Sequence, residues 1–272
     1  MKDDLGDRMK SMEARETSRT LFQTLPIYAR IDGRGFSRFT KGMEKPFSPK
    51  LLQIMIDVTE YLIKETHARV GYTQSDEISL LWQAADYTKD IFFKGKVQKM
   101  CSVLPSMAAA KMATLIHGWK PYDERLPAFD CRVLQLPNQD EAANMMLWRS
   151  LDGNRNAITM LAQSLYSHRE LQGVNTRQML DLIAAKDVVY DHVLPAFRHG
   201  TFVRRKTVAV GPKPVAVQWT TDVPDDGQIY RSRTVYDHVP LRSMTNRVGF
   251  LFENEVPSYA SLAAQSELKD NQ

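Results

Sequence analysis

Between residues 26 and 136 the sequence alternates between the hydrophobic period of a strand and that of a helix. The patterns follow in the order β-α-β-β-α-β, which predicts the split βαβ arrangement of a ferredoxin-like sheet. In that topology the end of the first strand and the tip of the central hairpin lie at the same end of the sheet. The predicted elements are a strand at 26–31, a helix of about five turns that begins at Ser48-Pro49, strands at 70–74 and 78–82, a helix at 96–119 that is interrupted or kinked near Pro105, and a strand at 129–136.

The segments on either side of this unit predict further layers. A polar helix is expected at 5–20, and residues 139–190 are rich in helix formers, with Met146 in one helix and Leu161 in the next. The C-terminal part is β-rich, with runs at 201–210 and 214–221, a Pro-Asp-Asp-Gly turn at 224–227 and a strand at 230–236.

We therefore predict an α+β fold in three parts. Residues 1–137 form the ferredoxin-like domain with its N-terminal helix, and residues 138–207 form a helical region and a return strand. Residues 208–272 form a β-rich C-terminal extension whose role the sequence does not indicate.

The composition excludes several classes of protein. Hydrophobic residues make up 43% and charged residues 25% of the 272 residues, which excludes a mostly disordered chain. Cys101 and Cys131 are the only cysteines and form no CxxC pair, so neither a disulfide framework nor a cysteine zinc site is predicted. No stretch approaches the roughly 18 apolar residues of a membrane span, and we expect a cytoplasmic protein without a membrane partner. The formal charge of +4 permits a polyanionic partner, although it fits a solvated mixed-charge surface better.

Acidic side chains mark the end of the sheet where the first strand and the hairpin tip meet. Asp32 ends the first strand and is followed by a turn at Gly33, and Asp76 and Glu77 lie at the hairpin tip. Two carboxylates beside exposed backbone provide the hard oxygen ligands of a two-metal phosphoryl-transfer site, and Glu77 adds a third carboxylate. Alternatively, Asp32 caps a turn and Asp76 and Glu77 form a polar hairpin tip.

A bound triphosphate also needs cations and hydrogen-bond donors. Each candidate, taken alone, also fits a solvated surface or a local turn. The candidates are Lys41 and Lys45 after the glycine turn, Lys94, Lys96 and Lys99 at the start of the second helix, and the hydroxyl groups of Ser37 and Ser75.

Five motifs stand out along the chain: Arg30-Ile-Asp-Gly-Arg-Gly-Phe-Ser-Arg-Phe39, Gly71-Tyr-Thr-Gln-Ser-Asp-Glu77, Phe93-Lys-Gly-Lys-Val-Gln-Lys99, Phe129-Asp-Cys-Arg-Val133 and Trp148-Arg149. They occur in the order found in tRNA-histidine guanylyltransferases, and from residue 5 to about residue 207 the chain resembles that superfamily. The pair of carboxylate motifs at this spacing is more specific than any one motif.

The resemblance implies a polymerase-palm domain that uses two Mg²⁺ ions and adds nucleotides to the 5′ end of tRNA. It implies GTP, ATP and other nucleoside triphosphates as substrates, and a homotetramer. By the same resemblance, Asp32, Asp76 and Glu77 are catalytic, and the metals are held by Asp32, Asp76 and the main chain of Gly33. The nucleotide-binding residues that it implies are Gly33, Arg34, Gly35, Phe36, Ser37, Lys45, Ser75, Lys94 and Lys99.

One stretch differs from the eukaryotic members of the superfamily. They carry a His-Ile-Asn-Asn block after the Trp-Arg helix, whereas residues 153–157 read Gly-Asn-Arg-Asn-Ala. This form resembles the bacterial and archaeal guanylyltransferase-like branch, which implies template-directed repair of 5′-truncated tRNA. Asn154, Arg155 and Asn156 are therefore candidate RNA contacts, and a helix N-cap with a surface arginine is an equal alternative.

The densest basic cluster, Arg204, Arg205 and Lys206, is a second candidate for RNA contacts. It also fits a charged strand edge that opposes aggregation. Three other functions stay open: G addition to tRNA-histidine, a nucleotidyl cyclase with the same two-metal sheet, and a non-catalytic RNA-binding protein.

Overall fold

The structure is a computed structural model that describes residues 4–212 and 228–259. The predicted strand within 214–221 and the predicted turn at 224–227 lie outside the described residues. The helices are α1 (Asp4–Thr17), α2 (Phe36–Phe39), α3 (Pro49–Thr66), α4 (Val97–Ile116), α5 (Gln139–Leu165), α6 (Thr176–Ala184), α7 (Pro195–His199) and α8 (Arg247–Phe252), and the strands are β1 (Ile27–Gly33), β2 (Val70–Gln74), β3 (Glu77–Trp82), β4 (Phe129–Gln135), β5 (Thr201–Pro212) and β6 (Gln228–Asp237).

The strands form one antiparallel sheet in the order β4-β1-β3-β2-β5-β6. Its first four strands have the predicted ferredoxin-like order, and the β5–β6 hairpin extends the sheet beyond β2. The α+β prediction is therefore confirmed. The boundary predicted at residues 207 and 208 lies inside β5, so the predicted C-terminal part shares a strand with the sheet.

Helices α3 and α4 cover one face of the sheet. Ser48 begins α3 as predicted, because its hydroxyl accepts a hydrogen bond from the Leu51 amide at 3.3 Å and proline follows at the first helical position. Helix α4 continues through Pro105 and ends at Ile116, so the predicted interruption does not occur. Together with alternate residues of β1 and β3, these helices form the larger core.

Helix α5 covers the other face and is one element of 27 residues, not the two helices predicted. Ala142 and Met146 bury its first half against the sheet. At 1.5 Å per residue the helix is about 40 Å long, roughly twice the length of β1 to β4, so its second half extends beyond these strands. Gly153 lies in this part, and a side chain there would overlap the side-chain amide of Gln74.

A small helical layer packs on the extended half of α5. Its core includes Leu161 of α5 and Ile183 of α6. Phe47 packs against this core and also lines the cavity described below. In the described residues, no helix has the length and apolar character needed to cross a membrane.

Candidate active site

The antiparallel order brings four chain segments to one end of the sheet, which we call the carboxylate end. They are the end of β1, the β2–β3 turn, the start of β4 and the start of α3. The register places Asp32 opposite Glu77 on one side and opposite Asp130 on the other. The predicted meeting of the first strand with the hairpin tip is therefore confirmed.

Asp32, Gly33 and Asp76 lie together at this end. Asp32 and Asp76 line the same cavity, and a Cβ atom placed on Gly33 would lie 2.8 Å from the Asp76 Oδ2. Ser75 turns the chain with a φ of 54°, and its hydroxyl donates to the Asp76 Oδ1 at 3.0 Å. The carboxylate of Asp76 is thus held close to the Gly33 backbone.

The two carboxylates carry charge that the protein does not balance. Burial raises the pKa of Asp76, and the charges of Asp32 and Glu77 raise it further. Burial also raises the pKa of Asp32, with Asp130 acting in the same direction and Arg30 against it. Neither side chain forms an ion pair within the described ranges. The arrangement favours a bound cation.

Glu77 has a different environment from its neighbour Asp76. The Arg149 guanidinium binds it through two donors, with Nε 2.6 Å from the Glu77 Oε1. Arg149 also pairs with Asp152 at 3.0 Å, and both side chains of the Glu77–Arg149 pair are largely buried. Glu77 is therefore not a third free carboxylate as predicted: its charge is neutralised by an arginine from α5.

The carboxylates open into a cavity of about 380 Å³, which we call the acidic cavity. Its polar side includes Arg30, Gln74 and Asn156, and its other wall is apolar. Arg30 lines the cavity together with Asp32, and its Nε atom is buried without a hydrogen-bond partner among the described residues. The apolar lining consists of Phe47, Leu51, Leu52, Ala157, Met160, Ala196 and Phe197.

The residues predicted to bind nucleotide are distributed over three places. Ser75 and Gly33 lie at the carboxylate end, and Lys45 is exposed in the loop before α3. Arg34, Gly35 and Ser37 line a different cavity on the outer side of the β1–α2 turn.

Phe36 departs from the predicted role, because its ring packs in the core against Phe39 and Phe129, with centroids 4.8 and 5.5 Å away. Lys94 and Lys99 are also not at the carboxylate end. They lie where α4 begins, near the end of β3, and Lys94 pairs there with Asp90 at 3.0 Å. Within this chain, the structure does not bring these two lysines to the carboxylates.

Arg204 does not face an RNA partner as predicted. Its side chain is fully buried, its guanidinium pairs with Asp237 at 2.8 Å, and it lies 3.8 Å from the centroid of the Phe250 ring. It stabilises the packing of α8 against β5 and β6. Arg205 is exposed and Lys206 is half-buried on the same strand.

Asn154, Arg155 and Asn156 lie inside α5, so the alternative of a helix cap is wrong. Asn154 donates to the Arg198 carbonyl at 2.8 Å, and Arg155 pairs with Asp152 at 2.7 Å. Only Asn156 of the three lines the acidic cavity.

Sequence reasoning did not assign roles to Arg30, Gln74 and Arg149. Arg30 and Gln74 lie on β1 and β2, and Arg149 meets them because α5 passes over the hairpin tip, which no local pattern indicates. The available signal was that all three residues occur in the quoted motifs.

The donor set limits which metal the site can hold. In the part of the chain that the structure describes, no group of three or more His, Cys, Asp or Glu side chains converges on one point. Two carboxylates and the Gly33 carbonyl are hard oxygen donors, and Mg²⁺ in proteins often uses one or two carboxylates together with substrate phosphates and water. The residues therefore fit Mg²⁺ bound together with a nucleotide.

Comparisons with known proteins agree with this geometry. A family model described as tRNAHis guanylyltransferase matches residues 6–137. An uncharacterized protein of Acanthamoeba polyphaga mimivirus is 29% identical over 228 residues, which are 75% of this chain and 78% of that protein. The tRNA(His) guanylyltransferase of Schizosaccharomyces pombe is 28% identical over 139 residues, 48% of this chain and 51% of its own length.

Two solved structures are similar over most of the chain. A bacterial tRNA(His) guanylyltransferase (Thg1)-like protein in complex with ATP is 31% identical, with 92% of this chain and 99% of that chain covered and a TM-score of 0.76. A structure of such a protein in complex with GTP is 30% identical, with 89% and 94% covered and a TM-score of 0.69.

Proposed function

The chain belongs to the tRNAHis guanylyltransferase family of nucleotidyltransferases, and we propose that it adds nucleotides to the 5′ end of tRNA in the 3′-to-5′ direction. The observation that carries this proposal is that Asp32 and Asp76 line one cavity, beside the Gly33 backbone, and neither carboxylate has an ion-pair partner among the described residues. A purely structural turn gains nothing from two partly buried carboxylates without cationic partners.

We propose that two Mg²⁺ ions bind at this end, held by the carboxylates of Asp32 and Asp76 and the carbonyl of Gly33. When bound, Mg²⁺ neutralises charge on the phosphate oxygens during phosphoryl transfer. The donor set supports this assignment, because it offers only oxygen ligands and leaves room for phosphates.

The acidic cavity is proposed to hold GTP, ATP or another nucleoside triphosphate. Similar bacterial proteins were solved with ATP and with GTP. The apolar wall with Phe47 and Leu51 suits a base, and the positive charge of Arg30, which lines the cavity beside the carboxylates, suits a phosphate. Arg149 acts through Glu77: by pairing with it, Arg149 fixes the hairpin tip that carries Asp76.

We further propose that addition is template-directed and repairs 5′-truncated tRNA. The Gly-Asn-Arg-Asn-Ala form of residues 153–157 supports this assignment. So does the likeness to the bacterial guanylyltransferase-like protein, which is 31% identical and covers 92% of the chain. Addition of G to full-length tRNA-histidine is the second candidate, because the matching family model carries that description.

The test is incubation with Mg²⁺, each labelled nucleoside triphosphate, and either full-length tRNA-histidine or a 5′-truncated tRNA with an intact 3′ strand. The repair function predicts filling of the truncated end by the nucleotide that pairs with the opposite strand. Addition of G to full-length tRNA-histidine alone would contradict repair. No addition to either RNA would favour the cyclase or the non-catalytic binding protein.

A homotetramer is also proposed, with α1 as part of the contact. No residue of this helix is buried in the single chain, and Leu5, Met9 and Met12 expose apolar surface at helical spacing. Light scattering coupled to size exclusion measures the mass directly, and a monomer at micromolar concentration would contradict the proposal.

A further inference from the structure

The outer side of the β1–α2 turn carries a second cavity, of about 790 Å³, which we call the basic cavity. Its cations are Arg34, Arg38, Lys41 and Arg125, and no Asp or Glu side chain lines it. The acidic cavity, in contrast, is lined by Asp32, Asp76, Glu77 and Asp152. The two cavities therefore suit different parts of a charged substrate.

The local sequence explains why the cations face outward. In the segment Phe36-Ser-Arg-Phe39, the two phenylalanine rings are buried beside Phe129. The residues on the opposite side of this short turn of helix, Arg34 and Arg38, are exposed.

The cavity has a fixed wall. The guanidinium of Arg125 donates to the carbonyls of Phe39 and Lys41, the latter at 2.8 Å, and lies 4.7 Å from the centroid of the Tyr122 ring. The Tyr122 hydroxyl donates to the Gly42 carbonyl at 2.6 Å. These contacts join the loop before β4 to the loop after α2.

The positive charge of the basic cavity is not neutralised within the protein. Arg34, Arg38 and Lys41 form no side-chain hydrogen bond or ion pair in residues 4–212 and 228–259. The side-chain hydrogen bonds of Arg125 go to neutral carbonyls. Four cations without a carboxylate attract a polyanion.

The basic cavity adjoins the carboxylate end. The amide of Arg34 donates to the Ala128 carbonyl at 2.8 Å, and Gly33 pairs with Phe129 in the sheet. The cavity thus begins one residue after the proposed metal site. The cations of the basic cavity therefore lie on the turn next to the place proposed for the 5′ end of the RNA.

We propose that the basic cavity binds the sugar-phosphate backbone of the RNA substrate next to its 5′ end. The inference rests on the proposed function. It places the RNA at a different surface from the Arg204 cluster that the sequence suggested, in which Arg204 is buried. The triphosphate is assigned to the acidic cavity, so the cations outside it are left for the RNA. Successive backbone phosphates match several cations spread around one large cavity.

The test compares the wild type with the double variant Arg38→Glu/Lys41→Glu and with the neutral variant Arg38→Gln/Lys41→Gln. Both side chains are exposed, so the fold is expected to persist, which circular dichroism checks. The matched control is Arg19→Glu/Lys89→Glu, which makes the same charge change at exposed residues near the other end of the sheet. Each protein is titrated with a 5′-truncated tRNA at several salt concentrations, and the Michaelis constant for the nucleoside triphosphate is measured in parallel.

We expect the charge reversal to weaken tRNA binding by about tenfold or more. The slope of log affinity against log salt concentration should fall by the amount expected for the loss of about two phosphate contacts. The neutral variant should show a smaller loss, and the control and the triphosphate Michaelis constant should stay within about twofold. Unchanged tRNA affinity, an equal loss in the control, or a loss confined to the triphosphate would overturn the inference. If the wild type adds nucleotides but the variants bind tRNA as tightly as the wild type, the inference alone is wrong. If the wild type neither binds tRNA nor adds a nucleotide, the proposed function is wrong as well.

Discussion

The two ends of the central sheet balance their charges in different ways. At the carboxylate end, Asp32 and Asp76 are partly buried and have no cationic partner within 4 Å among the described residues. At the other end, where α4 begins, Lys94 pairs with Asp90, and the Lys99 ammonium lies 5.6 Å from the centroid of the Phe93 ring. The fold thus leaves partly buried charge without a cationic partner where a ligand is proposed, whereas the charged side chains of the Lys94–Asp90 pair at the other end are exposed and paired.

The strongest way to break this comparison is to remove one carboxylate. Asp76→Ala should lower nucleotide addition at least about a hundredfold, because a metal ligand contributes several kcal/mol to transition-state stabilisation. Asp90→Ala, which removes an acid at the other end, is the control and should change the rate less than about twofold. Equal rates for wild type and Asp76→Ala, measured at saturating nucleotide, would contradict the metal assignment.

The second prediction concerns Glu77, which is paired with Arg149, unlike the neighbouring carboxylates. Arg149→Ala leaves Glu77 largely buried without its partner and should lower the free energy of unfolding by about 3 kcal/mol. Arg155→Ala breaks the exposed pair with Asp152 and should cost less than about 1 kcal/mol. Urea unfolding measures both free energies. Similar losses for the two variants would contradict the claim that breaking the buried Glu77–Arg149 pair costs more than breaking an exposed pair.

The third prediction uses the raised pKa of Asp76. A carboxyl whose pKa is higher in the folded state than its ordinary value of 3.8 favours folding when protonated, so its ionised form destabilises the metal-free protein. This loss develops as the pH rises from 3.8 through the raised pKa and is complete above it. Asp76→Asn should therefore raise the melting temperature in EDTA at pH 7, by about 2 to 4 °C for each kcal/mol removed, and the gain should shrink as the pH falls toward 4. If Asp76→Asn instead lowers the melting temperature in EDTA at pH 7, the ionised Asp76 carboxylate does not destabilise the metal-free protein and the prediction is wrong.

The smallest effect is expected at the other end of the sheet. Lys94→Ala/Lys99→Ala should leave the Michaelis constant for the triphosphate within about twofold, because both side chains lie away from the carboxylates in the chain. A large increase in that constant would contradict this prediction and would indicate that the two lysines contact the triphosphate bound to a neighbouring subunit. Steady-state kinetics with a saturating RNA distinguishes the two results.

Local signals in the sequence were sufficient for the part of the fold that builds the site. Ser48-Pro49 marks the start of α3, and alternation of apolar residues marks β1 to β4. The β-α-β-β-α-β order then implies that Asp32 and Asp76 meet. The same order also implies that α4 begins at the end away from the hairpin tip, so the distance of Lys94 from Asp32 was available from the topology.

Contacts between distant segments account for what the sequence did not reveal. A glycine weakens a helix, yet Gly153 lies within α5, and the reason for a glycine there is that the helix passes so close to Gln74 that a side chain would overlap it. Arg204 and Arg205 look alike in the sequence, yet the alternation of β5 places the first inward, where it meets Asp237 from 33 positions further along the chain. Which face of a late strand is buried depends on such partners.

The most direct test of the central claim is to map where the labelled nucleotide is joined to a 5′-truncated tRNA, with and without Mg²⁺. Digestion of the product from each end locates the label. A two-carboxylate site for 3′-to-5′ addition predicts label at the 5′ end only, present with Mg²⁺ and absent without it or with Asp76→Ala. Label at the 3′ end, incorporation that does not need Mg²⁺, or a cyclic mononucleotide as the product would contradict it.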